Sequence, residues 1–128
     1  MGTNTFHERA YALLSEAEYD ELIVYITPHV KAKDSWAEAI LGQCYSMGAG
    51  AEKDLAVARH YHELSANQND PHGQLLLGHH LLFEGNVEEG RKHLESAFEG
   101  GSATAADYLA NSFLMSPTNL AQTRLLWA

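Results

Sequence analysis

The stretch from Ala37 to Ala66 constrains the fold of this chain more than any other, because it reads as two short amphipathic helices joined by a turn. Ala37, Leu41 and Tyr45 recur at a spacing of four residues and therefore share one face of the first helix. A hairpin of this size is too small to bury its own apolar face. We therefore expect it to pack against neighbouring hairpins of the same kind.

The turn inside this stretch carries its own conformational signals. Gly48 and Gly50 lie where the first helix must end, and glycine adopts the left-handed conformation without a side-chain clash. Asp54 lies where the N-cap of the second helix is expected, directly before an apolar run. The pattern predicts a helix, a glycine turn and an aspartate-capped helix.

Weaker copies of the hairpin lie further along the chain. Leu41-Gly42 aligns with Leu77-Gly78 at an offset of 36 residues, and Leu109-Ala110 follows 32 residues later. Helix–turn–helix units that repeat every ~34–40 residues are typical of tetratricopeptide-type solenoids.

The first copy, clearest over residues 37–73, resembles a Sel-one-like repeat, a member of the tetratricopeptide-like class. His62 stands at a tyrosine position of the family pattern, and Tyr61 stands at the preceding tryptophan position. The second copy departs more from the pattern, and the third is degenerate. The positions that match in register are Ala37, Leu41, Gly42, Tyr45, Gly48, Gly50, Asp54, Ala58 and Ala66.

The resemblance implies an all-α fold, a right-handed α-solenoid of about four antiparallel helix hairpins. We expect one domain over residues 1–128, with a cap hairpin at 5–31 and repeats at about 36–69, 71–100 and 102–128. Eight helices are predicted, beginning with helices over 5–15 and 20–30. Pro28 is expected to kink or end the second of these near Thr27.

Composition restricts the partner and the compartment. Eight basic and seventeen acidic residues give a formal charge of −9, which argues against nucleic acid or an anionic membrane and favours a basic protein or peptide. No run approaches the ~18 apolar residues of a transmembrane span, and the start lacks the pattern of a signal peptide. The single Cys44 fits a reducing compartment. We expect a cytoplasmic protein.

Eight histidines raise the question of a metal or catalytic site. His79 and His80 are adjacent and diverge by ~100° on a helix, so they do not easily reach one ion. Cys44 is expected to be a small buried hydrophobe rather than a thiolate paired with these histidines. His62 and His93 are expected to pack at aromatic repeat positions, with the other histidines on surfaces. We predict no enzyme, no cofactor and no metal; a metal-binding or enzymatic protein using His79, His80 and Cys44 is the less favoured alternative.

The resemblance also implies a binding surface, because in this family the first helices of successive hairpins line a concave face that usually grips a partner. Whether Trp36 and Phe83 are exposed there or buried between repeats is open. By position, the concave face comprises Tyr11, Trp36, Gln43, Met47, His72, Leu75, His79, Phe83, Asp107 and Asn111, with Ala39, Ser46 and Leu82 beside them.

The favoured functional class is a protein–protein interaction module. By the resemblance, it would be an adaptor or scaffold of the kind that bacterial members provide beside secretion systems. Its sharper alternative is an immunity protein that neutralises a bacterial toxin or effector by direct binding. Self-association through the apolar end Leu125–Trp127, giving a homodimer, is a further alternative. The identity of the partner and the pathway stay open.

Overall fold

The computed structural model describes residues 5–114, and side chains as far as Ser112. Within this range the predicted helices are present, and the first two begin within one residue of their expected starts. The predicted eighth helix and the Leu125–Trp127 end lie outside the described residues. The helices are α1 Thr5–Ser15, α2 Tyr19–Lys31, α3 Ser35–Met47, α4 Leu55–Asn67, α5 Pro71–Glu84, α6 Val87–Glu99 and α7 Ala103–Leu114.

Aspartates cap α3 and α4 at the positions that the sequence indicated. The Asp34 carboxylate accepts a hydrogen bond from the Ala37 N–H at 2.9 Å. The Asp54 carboxylate accepts one from the Val57 N–H at 3.1 Å. Each bond satisfies a backbone donor that has no partner within its own helix.

Asp70 caps α5 and also joins two repeats. Its Oδ1 accepts hydrogen bonds from the His72 and Gly73 N–H groups at 2.8 and 3.3 Å. Its Oδ2 accepts one from the Ser35 hydroxyl at 2.7 Å. The Ser65 hydroxyl donates to the Ser35 carbonyl at 2.6 Å. The starts of α3 and α5 and the end of α4 are therefore held together by polar bonds.

Left-handed residues end the helices, and their positions repeat. Gly48 ends α3 with φ +68°, as predicted. At the junctions between hairpins, Lys33, Asn69 and Gly101 all have positive φ values. They are 36 and 32 residues apart, the same offsets as the repeats. The two non-glycine residues hold a conformation that glycine adopts more easily.

Pro28 does not end α2, so the expectation that the helix stops near Thr27 is wrong. The helix continues to Lys31, and the Ala32 N–H bonds to the Pro28 carbonyl at 3.1 Å. Pro28 is exposed near the end of the helix, where it removes a single backbone donor. Ile26, two residues earlier, is fully buried, and its packing holds the helix against its neighbours.

Three apolar clusters form the core of the described residues, and the smallest joins α4 to α5. The largest lies among α1, α2 and α3 and centres on Leu22, Ile26 and Ile40. The second lies among α5, α6 and α7 and centres on Leu82 and Leu94. Burial of ~25 cal/mol per Å² of apolar surface makes such clusters the main source of stability in a solenoid.

Glycines let the two helices of a hairpin approach closely. A β-carbon on Gly42 of α3 would lie 2.6 Å from His62 Cδ2 and 3.1 Å from the Ala58 carbonyl oxygen on α4. A β-carbon on Gly78 of α5 would likewise lie 2.8 Å from Leu94 Cγ on α6. His62 therefore occupies the position in its hairpin that Leu94 occupies in the next.

The first helices stack side by side along the solenoid. α3 packs on α5 and α5 packs on α7, and these contacts are more extensive than any between the second helices α2, α4 and α6. Closer spacing on the side of the first helices curves a solenoid toward that side. None of the helices between residues 5 and 114 is long and apolar enough to cross a membrane.

Candidate functional site on the first helices

An aromatic cluster surrounds Trp36 at the start of α3. The ring centroids of His7 and Tyr11 lie 4.2 and 5.2 Å from that of Trp36. Phe6 meets the indole edge-on at 5.6 Å and stacks on His29 at 3.7 Å. Trp36 is half-buried against the core of the first three helices. Trp36 is therefore neither fully exposed nor fully buried: it packs between α1 and α3 and keeps some exposed surface.

The same side of the molecule exposes apolar side chains on either side of this cluster. Tyr11 on α1 is 53% exposed and Met47 at the end of α3 is 50% exposed. Gln43 lies one turn before Met47, with its amide nitrogen 3.9 Å from the Met47 sulfur. Single exposed apolar side chains are common on protein surfaces, so it is their place on the predicted concave face that makes Tyr11 and Met47 candidates for a contact surface.

The predicted residues of α5 divide between surface and core. Leu75 is 8% exposed and belongs to the apolar cluster with Leu82, so it offers little surface to a partner. His72 is half-buried. His79 is half-buried beside Tyr108, with ring centroids 4.8 Å apart. Phe83 is half-buried at the end of α5.

Packing also decides how exposed the three positions named beside the concave face are. Ala39 and Leu82 are buried, whereas Ser46 is half-buried with its hydroxyl donating to the Gln43 carbonyl at 2.9 Å. Asp107 and Asn111 are exposed on α7. The exposed or half-exposed residues of the predicted concave face therefore lie on all four first helices, α1, α3, α5 and α7.

A pocket opens where α3, α4 and α5 meet. Its volume is about 170 Å³. It adjoins a larger recess, of about 390 Å³, that shares Leu55, His80 and Phe83 with it and continues toward Arg59 and Glu84. The pocket is lined by Ser46, Lys53, Leu55, His62, Leu76, His79, His80 and Phe83.

His62 is the most buried polar residue of this pocket, with 3% of its surface exposed. Neither ring nitrogen has a hydrogen-bond partner among the described residues. Burial, reinforced by the nearby imidazoles of His80, His72 and His79, lowers the pKa of His62 to about 3. The ring is therefore neutral near pH 7, with one nitrogen able to donate and the other able to accept.

His80 lies at the junction of the pocket and an ion-pair network. Its ring centroid is 5.9 Å from that of His62. Burial lowers the pKa of His80, and Glu84, whose carboxylate is 3.9 Å from His80 Nε2, opposes that shift. Arg59 pairs with Glu84 at 2.6 Å and with Glu63 at 3.3 Å. The Glu84 charge is thus shared between a cation and an imidazole.

The histidines are less exposed than the sequence suggested. His80 is 9% exposed, and burial lowers the pKa values of His72 and His79. The expectation that His80 lies at the surface is wrong, because it is buried beside His62, whereas His72 and His79 are half-buried and keep some exposed surface. His62 does pack in the core at the aromatic repeat position, as predicted.

Cys44 lies inside the protein rather than at a reactive position. The residue is fully buried in the first core cluster, and burial raises the pKa of its thiol to about 11. A thiol in that state is a poor nucleophile and a poor metal ligand at neutral pH. Over residues 5–114, no three His, Cys, Asp or Glu side chains are grouped closely enough to hold a metal ion.

Sequence reasoning missed three lining residues of the pocket: Lys53, Leu55 and Leu76. Lys53 and Leu55 belong to the turn and start of α4, which the repeat pattern assigns to structure. A signal was present in the sequence, since an exposed leucine directly after the Asp54 cap has no role in the repeat.

Comparison of the sequence with protein-family models and with curated proteins gives no match. Two solved structures are similar to the fold. A Sel1 repeat protein from Oxalobacter formigenes superposes with a TM-score of 0.66 and 23% identity, covering 79% of this chain and 43% of that one. A protective antigen present in uropathogenic Escherichia coli strains, displaying an SLR fold, gives a TM-score of 0.69 and 25% identity, covering 85% of this chain and 25% of that one.

This chain therefore spans less than half the length of either protein. The helices and the close hairpin packing agree with those folds. Both the predicted all-α repeat solenoid and the resemblance to Sel-one-like repeats are confirmed.

Proposed function

We propose that this chain, whose all-α repeat fold is similar to those of Sel1 repeat proteins, is a non-catalytic module that binds a protein or peptide partner on its concave face. An adaptor or scaffold of the cytoplasm is the form of this function that fits the composition. The observation that carries the proposal is the exposure of Tyr11 and Met47 beside half-buried Trp36 and Phe83 on one side of the solenoid. Aromatic residues and methionine are enriched in the centres of protein interfaces.

The curvature of the chain supports the same surface. α3 packs on α5 and α5 packs on α7, whereas the second helices make fewer contacts with one another, and we infer that this stacking brings the exposed side chains of the first helices to one groove. A groove of this kind can contact an extended or helical segment at several points at once. The exposed polar ends of Asp107 and Asn111 continue it beyond the aromatic residues.

Charge favours a basic partner. The net charge of −9 accelerates the encounter with a positively charged surface and disfavours acidic competitors. The same acidity supports the sharper alternative, an immunity protein that covers the active site of a basic toxin or effector.

The proposal is tested by two double variants used as baits in lysate of the source organism. Tyr11→Ser with Met47→Ser changes the concave face, whereas Val24→Ser with Leu64→Ser changes apolar side chains exposed on the second helices α2 and α4. We expect the first variant to lose the dominant partner of the wild type and the second to retain it. Circular dichroism verifies that both remain folded. Retention by both would place binding elsewhere.

The identity of the captured protein separates the two forms of the function. An immunity protein should restore growth to cells that express its partner, and the Tyr11→Ser, Met47→Ser variant should not. A partner whose expression is harmless would favour the adaptor or scaffold.

A further inference from the structure

The pocket between α3, α4 and α5 has the size of one aromatic ring. Its volume is about 170 Å³, and an apolar cavity of about 150 Å³ is known to hold benzene. Leu55, Leu76 and Phe83 supply apolar walls that suit the faces of such a ring. A longer or branched occupant would have to extend toward the Arg59–Glu84 recess.

The buried wall of the pocket is polar, which an apolar ring alone does not satisfy. The ring of His62 is 3% exposed, and neither of its nitrogens has a hydrogen-bond partner among residues 5–112. Buried polar groups in native proteins are normally paired, so two orphaned nitrogens on one ring indicate a missing partner. Packing does not require the imidazole, because Leu94 fills the same position in the next repeat.

The charges around the pocket restrict the group that could reach His62. Among the described residues, no aspartate or glutamate lines it, and Lys53 is the cationic side chain in its wall. The nearby Glu84 is shared with Arg59 and His80. These surroundings disfavour an ammonium or guanidinium tip. A hydroxyl both donates and accepts a hydrogen bond, so it can pair with either nitrogen of a neutral imidazole.

We propose that this pocket receives the phenol ring of a tyrosine side chain from a protein partner, with the hydroxyl bonded to the His62 ring. The inference rests on the proposed function, since Ser46, His79 and Phe83 place the pocket in the concave face. Both nitrogens are shielded from solvent, and Nε2 lies against Gly42 of α3. The nitrogen that the hydroxyl would bond is therefore Nδ1, once the neighbouring ring of His80 moves aside. The tyrosine would act as an anchor residue surrounded by weaker contacts.

The test uses p-cresol, which is the tyrosine side chain, and toluene, which is that of phenylalanine. Both are titrated into the full chain while the imidazole nitrogens are followed by nitrogen-15 NMR. We expect p-cresol to bind saturably, to shift a ring nitrogen of His62, and to bind up to about tenfold more tightly than toluene, the ratio that one net hydrogen bond provides.

Substitutions of two histidines test whether the preference for p-cresol depends on His62. In His62→Phe the preference for p-cresol over toluene should disappear. If the His62→Phe protein does not fold, His62→Leu takes its place and should show the same loss. His60→Phe changes an exposed ring on the same helix and should preserve it. Equal binding of the two probes, an unchanged preference in the His62 variants, or no binding up to the solubility limit of p-cresol would each overturn the inference.

The outcome is separable from that of the proposed function. If the Tyr11→Ser, Met47→Ser variant loses its partner while p-cresol fails to bind, partner binding on the concave face is supported and the tyrosine pocket is refuted. If p-cresol binds at His62 but that variant keeps its partner, the pocket is supported as a phenol site, and its proposed link to partner binding on the concave face is refuted.

Discussion

The ring of His62 lies directly against the backbone of Gly42, so that a β-carbon on the glycine would be 2.6 Å from His62 Cδ2. This contact fixes the separation of α3 and α4 and buries the imidazole. In the next hairpin, Gly78 and Leu94 make the corresponding contact. An apolar position of the repeat is thus occupied by a polar ring, and several predictions about stability depend on that substitution.

Replacement of His62 by leucine should stabilise the protein. The variant would remove two buried nitrogens that lack partners in the described structure and would install the residue that the next repeat carries. An unsatisfied buried polar group destabilises by about 1–3 kcal/mol, so we expect a gain in the free energy of unfolding of about that size.

Urea denaturation of His62→Leu measures this gain. His60→Leu, on the exposed side of the same helix, is the control and should change stability by less than about 0.5 kcal/mol. A loss of stability in His62→Leu would show that the imidazole has a partner in the folded protein.

Stability should fall as the pH is lowered below the ordinary pKa of histidine. The pKa of His62 is lowered from 6.5 to about 3, so the folded state binds fewer protons than the unfolded state between these values. The stabilisation is fully present above pH 6.5 and is lost as the pH falls toward 3. One such proton gives a slope of at most about 1.4 kcal/mol per pH unit.

The pKa values of His72, His79 and His80 are lowered as well and contribute slopes of the same sign. Denaturation curves between about pH 5 and 7 measure the total slope. His62→Leu should show a shallower pH dependence than the wild type, and an identical dependence in the two proteins would contradict the assignment.

Gly42→Ala should destabilise the first repeat. The new methyl group would overlap His62, and the Ala58 carbonyl oxygen at 3.1 Å limits how far it can move. We expect a loss of about 1–3 kcal/mol despite the higher helix propensity of alanine. In a His62→Ala background the loss should be smaller, because the ring is gone. Additive effects of the two substitutions in a thermal denaturation cycle would refute the contact.

Asp70→Ala should cost more stability than Asp54→Ala, although both remove a helix N-cap. Asp54 is exposed and serves its own helix only, which is worth about 1 kcal/mol. Asp70 also accepts the hydrogen bond of Ser35, to which the Ser65 hydroxyl is linked. We expect a further loss of about 1–3 kcal/mol in Asp70→Ala. Equal midpoints for the two variants in urea would show that the bond between repeats contributes nothing.

Cys44 should resist thiol reagents until the protein unfolds. The side chain is fully buried, and with a pKa of about 11 only about one molecule in ten thousand carries the thiolate at pH 7. Labelling with a chromogenic disulfide should be slow in the native protein and complete within minutes in concentrated urea. Rapid labelling of the native state would reopen the interpretation of Cys44 as a reactive residue.

Most of the fold could be predicted from local signals. The spacing of Ala37, Leu41 and Tyr45, the Asp54 cap and the Gly48 turn each depend on the backbone of a few neighbouring residues. The prediction for Pro28 was wrong because the buried side chains of α2, which are distant in sequence from their packing partners, hold the helix past the proline.

The candidate site was less predictable. Helical position alone placed Leu75 with Tyr11 and Met47, whereas packing buries the leucine and leaves the other two exposed. Lys53 and Leu55 entered the pocket only because the turn before α4 folds over the end of α3. Neither spacing nor residue type carries that information.

The sequence by itself determined the repeat, the helices, their caps and the charge of this protein, because periodicity, capping and composition act over short distances along the chain. Only the tertiary structure decided that His62 is enclosed without a partner among the described residues, that Glu84 pairs with Arg59 close to His80, and that a pocket opens where α3, α4 and α5 meet. Burial and charge pairing depend on which side chains from different helices meet, and that is a property of the packed solenoid.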